Sequence, residues 1–175
     1  IGNGVGSNPT KPILSVADNG NALIAFYQGG DLYINQYTAG ESWSGTSVLQ
    51  GGGLVSSYPV VQLDNNGNAF VLWTQNDADN NRQWFAARSV AGGAWVYDGF
   101  VETITGTVTQ TIDNYPQLVI DGQGNAMLAW NERDSTGTNM AYVLRYDAAT
   151  GWEEPVPMGT VSRYPRIAMN EVGQA

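Results

Sequence analysis

The chain has 175 residues, with 16 acidic side chains against 7 basic ones, no histidine, no cysteine and a formal net charge of -9. Such a field disfavours sequence-independent binding to nucleic acid or to anionic lipid. The missing residue types exclude a disulfide framework, thiolate chemistry, and the usual general base and commonest metal ligand. No apolar run approaches the roughly 18 to 20 residues of a membrane span, and the N-terminus lacks the basic and apolar regions of a signal peptide. Sparse charge with many Gly, Asn, Thr and Ser residues and several tryptophans suits a secreted or cell-surface bacterial β protein, which is the localisation expected.

Residues 1–8 resemble the stretch that precedes the later Pro positions and read as the tail of a preceding unit. A first strand then follows Lys11-Pro12, with Leu14 and Val16 on one face at period two. The cluster Asp18-Asn19-Gly20-Asn21 supplies residues tolerant of positive φ, as a tight hairpin turn requires. After it Ala22-Leu23-Ile24-Ala25-Phe26 is apolar on both faces, as a strand covered on both sides would be. A third strand is expected over 31–37, a turn with Gly40 and Trp43 after it, and an exposed fourth strand over 47–50.

This order recurs. Tyr58-Pro59 leads through Val61 and Leu63 to Asp64-Asn65-Asn66-Gly67-Asn68-Ala69, then to an apolar run ending at Trp73, a strand over 83–89, Gly93 and Trp95, and an outer strand over 101–104. Tyr115-Pro116 leads through Leu118 and Ile120 to Asp121-Gly122-Gln123-Gly124-Asn125-Ala126, a run to Trp130, a strand over 139–146, Gly151-Trp152, and an outer strand over 156–158. Tyr164-Pro165 opens a fourth copy, with Ile167 and Met169 before Asn170-Glu171-Val172-Gly173-Gln174-Ala175. A period of roughly fifty residues lies in the range of propeller blades, which bury their apolar faces only by stacking. Four antiparallel strands per unit predict an all-β fold, a β-propeller. The expected division is a partial blade at 1–11, blades at 12–58, 59–115 and 116–164, and a partial blade at 165–175. Three blades do not close a ring. The chain is therefore expected to be part of a six- to eight-bladed ring in a longer parent, or else to complete a ring by inter-chain assembly.

The pattern Pro-x-aliphatic-x-aliphatic-Asp-x-x-Gly-Asn-Ala, its apolar run to tryptophan, and the later Arg145-Tyr146 and Gly151-Trp152 resemble the repeats of bacterial secreted propellers of the sialidase-like, Asp-box class. For an enzyme, the resemblance implies an arginine triad on a substrate carboxylate, a tyrosine nucleophile with a glutamate, an aspartate acid/base and an Arg-Ile-Pro motif. Arg166-Ile167 is similar to the start of that motif, but Ala168 stands where proline is expected, and Trp73 follows Gly67 at a wider spacing than in a true Asp box. Arg88, Arg145 and Arg166 are the arginines on expected strands, where ion pairs within or between blades are the plain alternative.

Successive turns of an up-and-down blade alternate between its two ends. The Asp-Gly hairpins share one end, and the opposite end carries Tyr58, Tyr115 and Tyr164 with the longer, more charged loops 75–82 and 131–139. Function concentrates in variable loops on a rigid scaffold. Candidate ligand contacts at that end are therefore Trp84, Arg82, Tyr58, Tyr115, Tyr164, Glu132 and Arg133. Trp84 beside Arg82 combines an apolar face with hydrogen-bonding neighbours, as sugar stacking needs, although local packing of its loop is the commoner explanation. Asp77, Asp79 and Asn81 place oxygen ligands at alternate positions, as calcium binding would, without the glycine and closing glutamate of an EF-hand. Glu132 with Asp134, or Asp77 with Asp79, are paired carboxylates by residue type alone.

The expected function is a noncatalytic secreted or cell-surface module that binds glycans or a protein partner, with no nucleic acid and no membrane insertion. The alternatives are part of a sialidase-like or other glycoside hydrolase, and a structural module of a large adhesin or matrix protein.

Overall fold

A computed structural model describes residues 9–52, 59–76, 82–101, 116–133, 136–160 and 165–175, without the side chains of Lys11 and Arg133. All regular structure among these residues is β. The first sheet orders its strands β1 (Thr10–Val16), β2 (Ala22–Gln28), β3 (Asp31–Tyr37) and β4 (Ser47–Gln50) as 1-2-3-4, all antiparallel. The second repeats this with β5 (Val60–Leu63), β6 (Ala69–Asn76), β7 (Arg82–Ser89) and β8 (Trp95–Phe100). The third has β9 (Gln117–Ile120), β10 (Ala126–Arg133) and β11 (Asn139–Asp147), whose outer edge pairs with β12 (Gly151–Trp152) and β13 (Val156–Thr160) in turn. These are three blades of a β-propeller, with the first strands β1, β5 and β9 neighbouring one another.

The second strands are apolar on both faces because both faces are covered. Leu23, Ala25, Leu32 and Ile34 of the first blade pack on Val61, Val71, Trp73 and Ala87 of the second. Residues one step out of phase, Phe70, Leu72, Trp84 and Ala86, turn the other way onto Leu118, Leu128, Trp130 and Leu144 of the third. Every residue of β2 is buried, as are all but the last of β6. Period-two alternation thus divides one strand between two seams.

The outer strand of the second blade differs from expectation. It is β8, which starts at Trp95, whereas the expected strand over 101–104 falls, except for Val101, outside the described residues. The turn before it is tight, with the Gly93 amide donating to the Val90 carbonyl at 2.9 Å, so the ladder resumes at once with Ser89 opposite Trp95.

The repeated turn is a hydrogen-bonded clasp. Asp121, 1% exposed, accepts at Oδ1 from the amides of Gln123 and Asn125, both at 2.9 Å, and at Oδ2 from Asn125 Nδ2 at 2.7 Å. Asp64 repeats all three bonds with Asn66 and Asn68. The asparagine then reaches out of its hairpin: Oδ1 of Asn21, Asn68 and Asn125 accepts the amide of Ala39, Ala91 and Ala148, respectively, in the turn between the third and fourth strands. Both sets of turns therefore lie at one end of the blades. The hairpin-closing bonds, Ala17 N to Asn21 O, Asp64 N to Asn68 O, Asp121 N to Asn125 O and Asn170 N to Gln174 O, place Ala17, not Asp18, at the position of Asp64 and Asp121. The glycine that follows has φ of +80° to +85° in all four copies, and a Cβ on Gly67 would stand 3.0 Å from the Gly92 nitrogen. Gly67 therefore meets both a torsional and a steric requirement for glycine.

Candidate ligand-binding end of the propeller

The end opposite the clasps is where β2, β6 and β10 run out, and polar side chains enter the core there. Phe26, Trp73 and Trp130 are register equivalents, facing Tyr33, Phe85 and Tyr142 across the ladder. Two residues beyond each, on the same face, stand Gln28, Gln75 and Glu132, all buried. Trp73 Nε1 donates to Gln75 Oε1 at 3.1 Å, and Trp130 Nε1 to Glu132 Oε2 at 3.5 Å. Thr74 and Asn131, between these pairs, are buried as well. The same end holds the Tyr27 hydroxyl, buried without a hydrogen-bond partner among the described residues.

Glu132 is the one carboxyl of this row and is 3% exposed. Burial raises its pKa above the ordinary glutamate value, and the Trp130 hydrogen bond offsets this in part. Burial likewise pushes the Tyr27 phenol far above its usual range, tempered by the positive charge of Arg82. The Glu132 carboxyl consequently keeps its proton to higher pH than an exposed glutamate.

A pH-dependent result is expected. A carboxyl whose folded pKa lies above its unfolded value supports folding fully below the unfolded value, and this support is lost as pH rises through the folded one. Glu132→Gln keeps the shape and removes the ionisation, so its melting temperature should exceed that of the parent near pH 8. The two should converge near pH 4, close to the ordinary glutamate value. Melting scans across that range check this; a variant less stable than the parent near pH 8 would show that the folded core favours the carboxylate form.

The sequence candidates separate in the structure. Trp84 is corrected: it is 1% exposed and meets Trp130 edge-on at 6.5 Å between the second and third blades, so neither ring face is presented for stacking on a sugar. Its register equivalents are Leu32 and Ala141, which makes it the largest of three side chains filling one core position. Arg82 opens β7 opposite Asn76, half-buried. Glu132 lies at the end of β10, followed by Arg133, whose side chain is not described. Tyr58, Tyr115, Tyr164 and the calcium candidates Asp77, Asp79 and Asn81 lie outside the described residues, as does Asp134. Among the described residues no group of three or more acidic side chains has metal-binding geometry. Gln28 and Gln75 are additions. Their signal was present in Phe26-x-Gln28, Trp73-x-Gln75 and Trp130-x-Glu132, once the copies are aligned on the buried aromatic.

Comparison with known proteins places the fold. No protein-family model matches the chain, and no curated protein matches it in sequence. Among solved structures it is similar to a Hadza microbial sialidase, with 14% identity and a TM-score of 0.52 over 86% of this chain and 37% of that one. It is also similar to a thermostable family-43 glycoside hydrolase, with 12% identity and a TM-score of 0.50 over 90% of this chain and 55% of that one. A fucose lectin from Kordia zhangzhouensis, in complex with methyl-fucoside, aligns with 12% identity and a TM-score of 0.47 over 87% of this chain and all of that one. The chain thus spans about two fifths to just over half of the first two, and at these identities the likeness is one of fold.

Proposed function

We propose that this chain is a carbohydrate-binding propeller module, noncatalytic in itself, which takes its ligand at the end where β2, β6 and β10 terminate. The observation that carries this reading is the row Gln28, Gln75 and Glu132, three equivalent positions at which buried polar groups enter an otherwise apolar core. Convergent polar groups set in apolar and aromatic surroundings are the general character of a small-ligand site. The formal charge of -9 favours neutral glycans over polyanionic ones. The same fold serves a sialidase and a family-43 glycoside hydrolase, both named for carbohydrate chemistry.

A glycan array probed with the intact chain, followed by calorimetry on the hits, tests the proposal. Neutral saccharides should bind, and Glu132→Gln should weaken them roughly tenfold while the fold is retained, the scale of a hydrogen bond to a charged or proton-donating group. No binding across the array would sink the reading. A second reading, glycoside hydrolysis, is favoured by Glu132 alone, because a buried carboxyl with a raised pKa has the character of a general acid. Turnover of a fluorogenic glycoside that is lost in Glu132→Gln would establish it over the first.

A further inference from the structure

The arginine at the seam between the second and third blades is paired along one edge only. Arg88 on β7 lies over the Tyr146 ring, 5.2 Å from its centre, and its Nε donates to both carboxylate oxygens of Asp98 at 3.1 and 3.2 Å. From the third blade, Trp152 Nε1 donates to Asp98 Oδ2 at 3.2 Å. The two terminal nitrogens of Arg88, Nη1 and Nη2, have no hydrogen-bond or ion-pair partner among the described residues. In the third blade Arg145 holds the same register place, opposite Met127 where Arg88 is opposite Phe70, and there Nη1 and Nη2 face Glu153 and Asp147 at 3.6 and 3.7 Å. In the first blade the place belongs to Gln36, opposite Leu23. Among the described blades, an arginine with an open terminal edge is therefore particular to this seam.

Arg88 lines a cavity of about 100 Å³ between the two blades, at the clasp end and away from the Glu132 row. Phe70, Tyr146 and Val90 give it an apolar wall, and Asn68, Ser89 and Gln123 a polar one. Asn68 is already held by Asp64 and by the Ala91 amide, and Ser89 Oγ donates to the Gly93 carbonyl. The side-chain groups left for a ligand are thus the terminal edge of Arg88 and, exposed at the rim, the carboxamide of Gln123. At ~30 Å³ per water the space equals about three waters, which is the scale of a group of about four non-hydrogen atoms.

Two features select that group. The open edge of a guanidinium offers N–H donors in one plane and no acceptor, so it takes a bare oxygen. The charge of Arg88 is already offset by Asp98 in a chain of net charge -9, so a second carboxylate would meet repulsion where a neutral carbonyl would not. We propose that this cavity is a second saccharide-contacting site, which receives the acetamido group of an N-acetylated sugar. The carbonyl oxygen accepts from Arg88 Nη1 and Nη2, the methyl meets the apolar wall, and the amide N–H donates to the Gln123 side chain at the rim. The sugar ring stays outside. This site lies at the opposite end of the blades from Glu132 and does not depend on it.

Titration of the intact, isotope-labelled chain with N-acetylglucosamine from about 1 to about 100 mM, followed by NMR, reads the outcome. Shifts should saturate at the amides of Ser89 and Gly124 and at the Trp152 indole N–H, which is bonded to Asp98. Acetamide alone should move the same signals more weakly. Glucose, which lacks the acetamido group, and acetate, which adds a charge, should leave them in place. Arg88→Lys keeps a cation beside Asp98 and removes the planar N–H pair, so it should weaken the response roughly tenfold, whereas Glu132→Gln should not change it. The shift map of the parent chain decides the site whether or not the lysine variant folds. No saturating shift at these signals overturns the proposal, as do shifts confined to the Trp130 and Glu132 row. An equal response to glucose or to acetate, or a folded Arg88→Lys that responds like the parent, overturns it as well.

Discussion

Trp130→Ala should lower stability by roughly 3 to 5 kcal/mol and the melting temperature by roughly 10 °C or more. Trp130 is 1% exposed and stands at the seam of two blades. Its ring stacks on Tyr142 at 5.6 Å within its own sheet and meets Trp84 from the neighbouring one. Truncation leaves a cavity that neither partner can fill, because each is held by its own strand. It also removes the N–H that Glu132 Oε2 accepts. Trp130→Phe separates these effects: it keeps most of the volume and loses the donor, so its cost should be a minor part of the total. Chemical denaturation of both variants checks the ordering, and a phenylalanine variant as unstable as the alanine one would mean that the hydrogen bond, not the packing, secures the seam.

Asp121→Ala should cost roughly 2 to 3 kcal/mol, because two backbone N–H groups and one side-chain amide lose their acceptor at a buried site. The effect should spread, since Asn125, freed from Asp121, also holds the Ala148 amide and with it the turn between β11 and β12. Asp121→Asn should be milder. It retains Oδ1 for the two backbone amides and sets one amide against another at the third contact. Asn170 shows how such a clasp is completed: its Oδ1 accepts from the amides of Val172 and Gln174, and its Nδ2 donates to Gln174 Oε1 at 2.9 Å. Hydrogen exchange at Gln123, Asn125 and Ala148 would follow the damage residue by residue; protection unchanged at Ala148 would contradict the linkage between the two turns.

The polar row at the opposite end shows how far a repeat can be read for function. Glu132 was identifiable as a candidate from its residue type and its place near a variable loop. That it is buried, bonded to Trp130 and equivalent to Gln28 and Gln75 depends on strand register, which the repeats encode only after alignment on the buried aromatics. Trp84 illustrates the converse. Its neighbours in sequence, Arg82 and Gln83, suggest an edge, whereas its neighbours in space are Trp130 and the core of the next blade.

Strand order within each sheet and the hairpin positions are local properties of this chain. Period-two alternation sets which residues share a face, and the glycine of each clasp permits the backbone to turn where its φ is positive. These were legible residue by residue. Which faces meet was not, because a seam joins positions some fifty residues apart in sequence that no periodicity links. Asn19 bonds to Asn65 across the clasps, Ser15 Oγ accepts the Leu63 amide between the innermost strands, and Trp152 donates to Asp98. Only the stacking of one blade on the next brings these groups within hydrogen-bonding distance, and the same stacking decides which aromatic side chains are buried and which remain exposed.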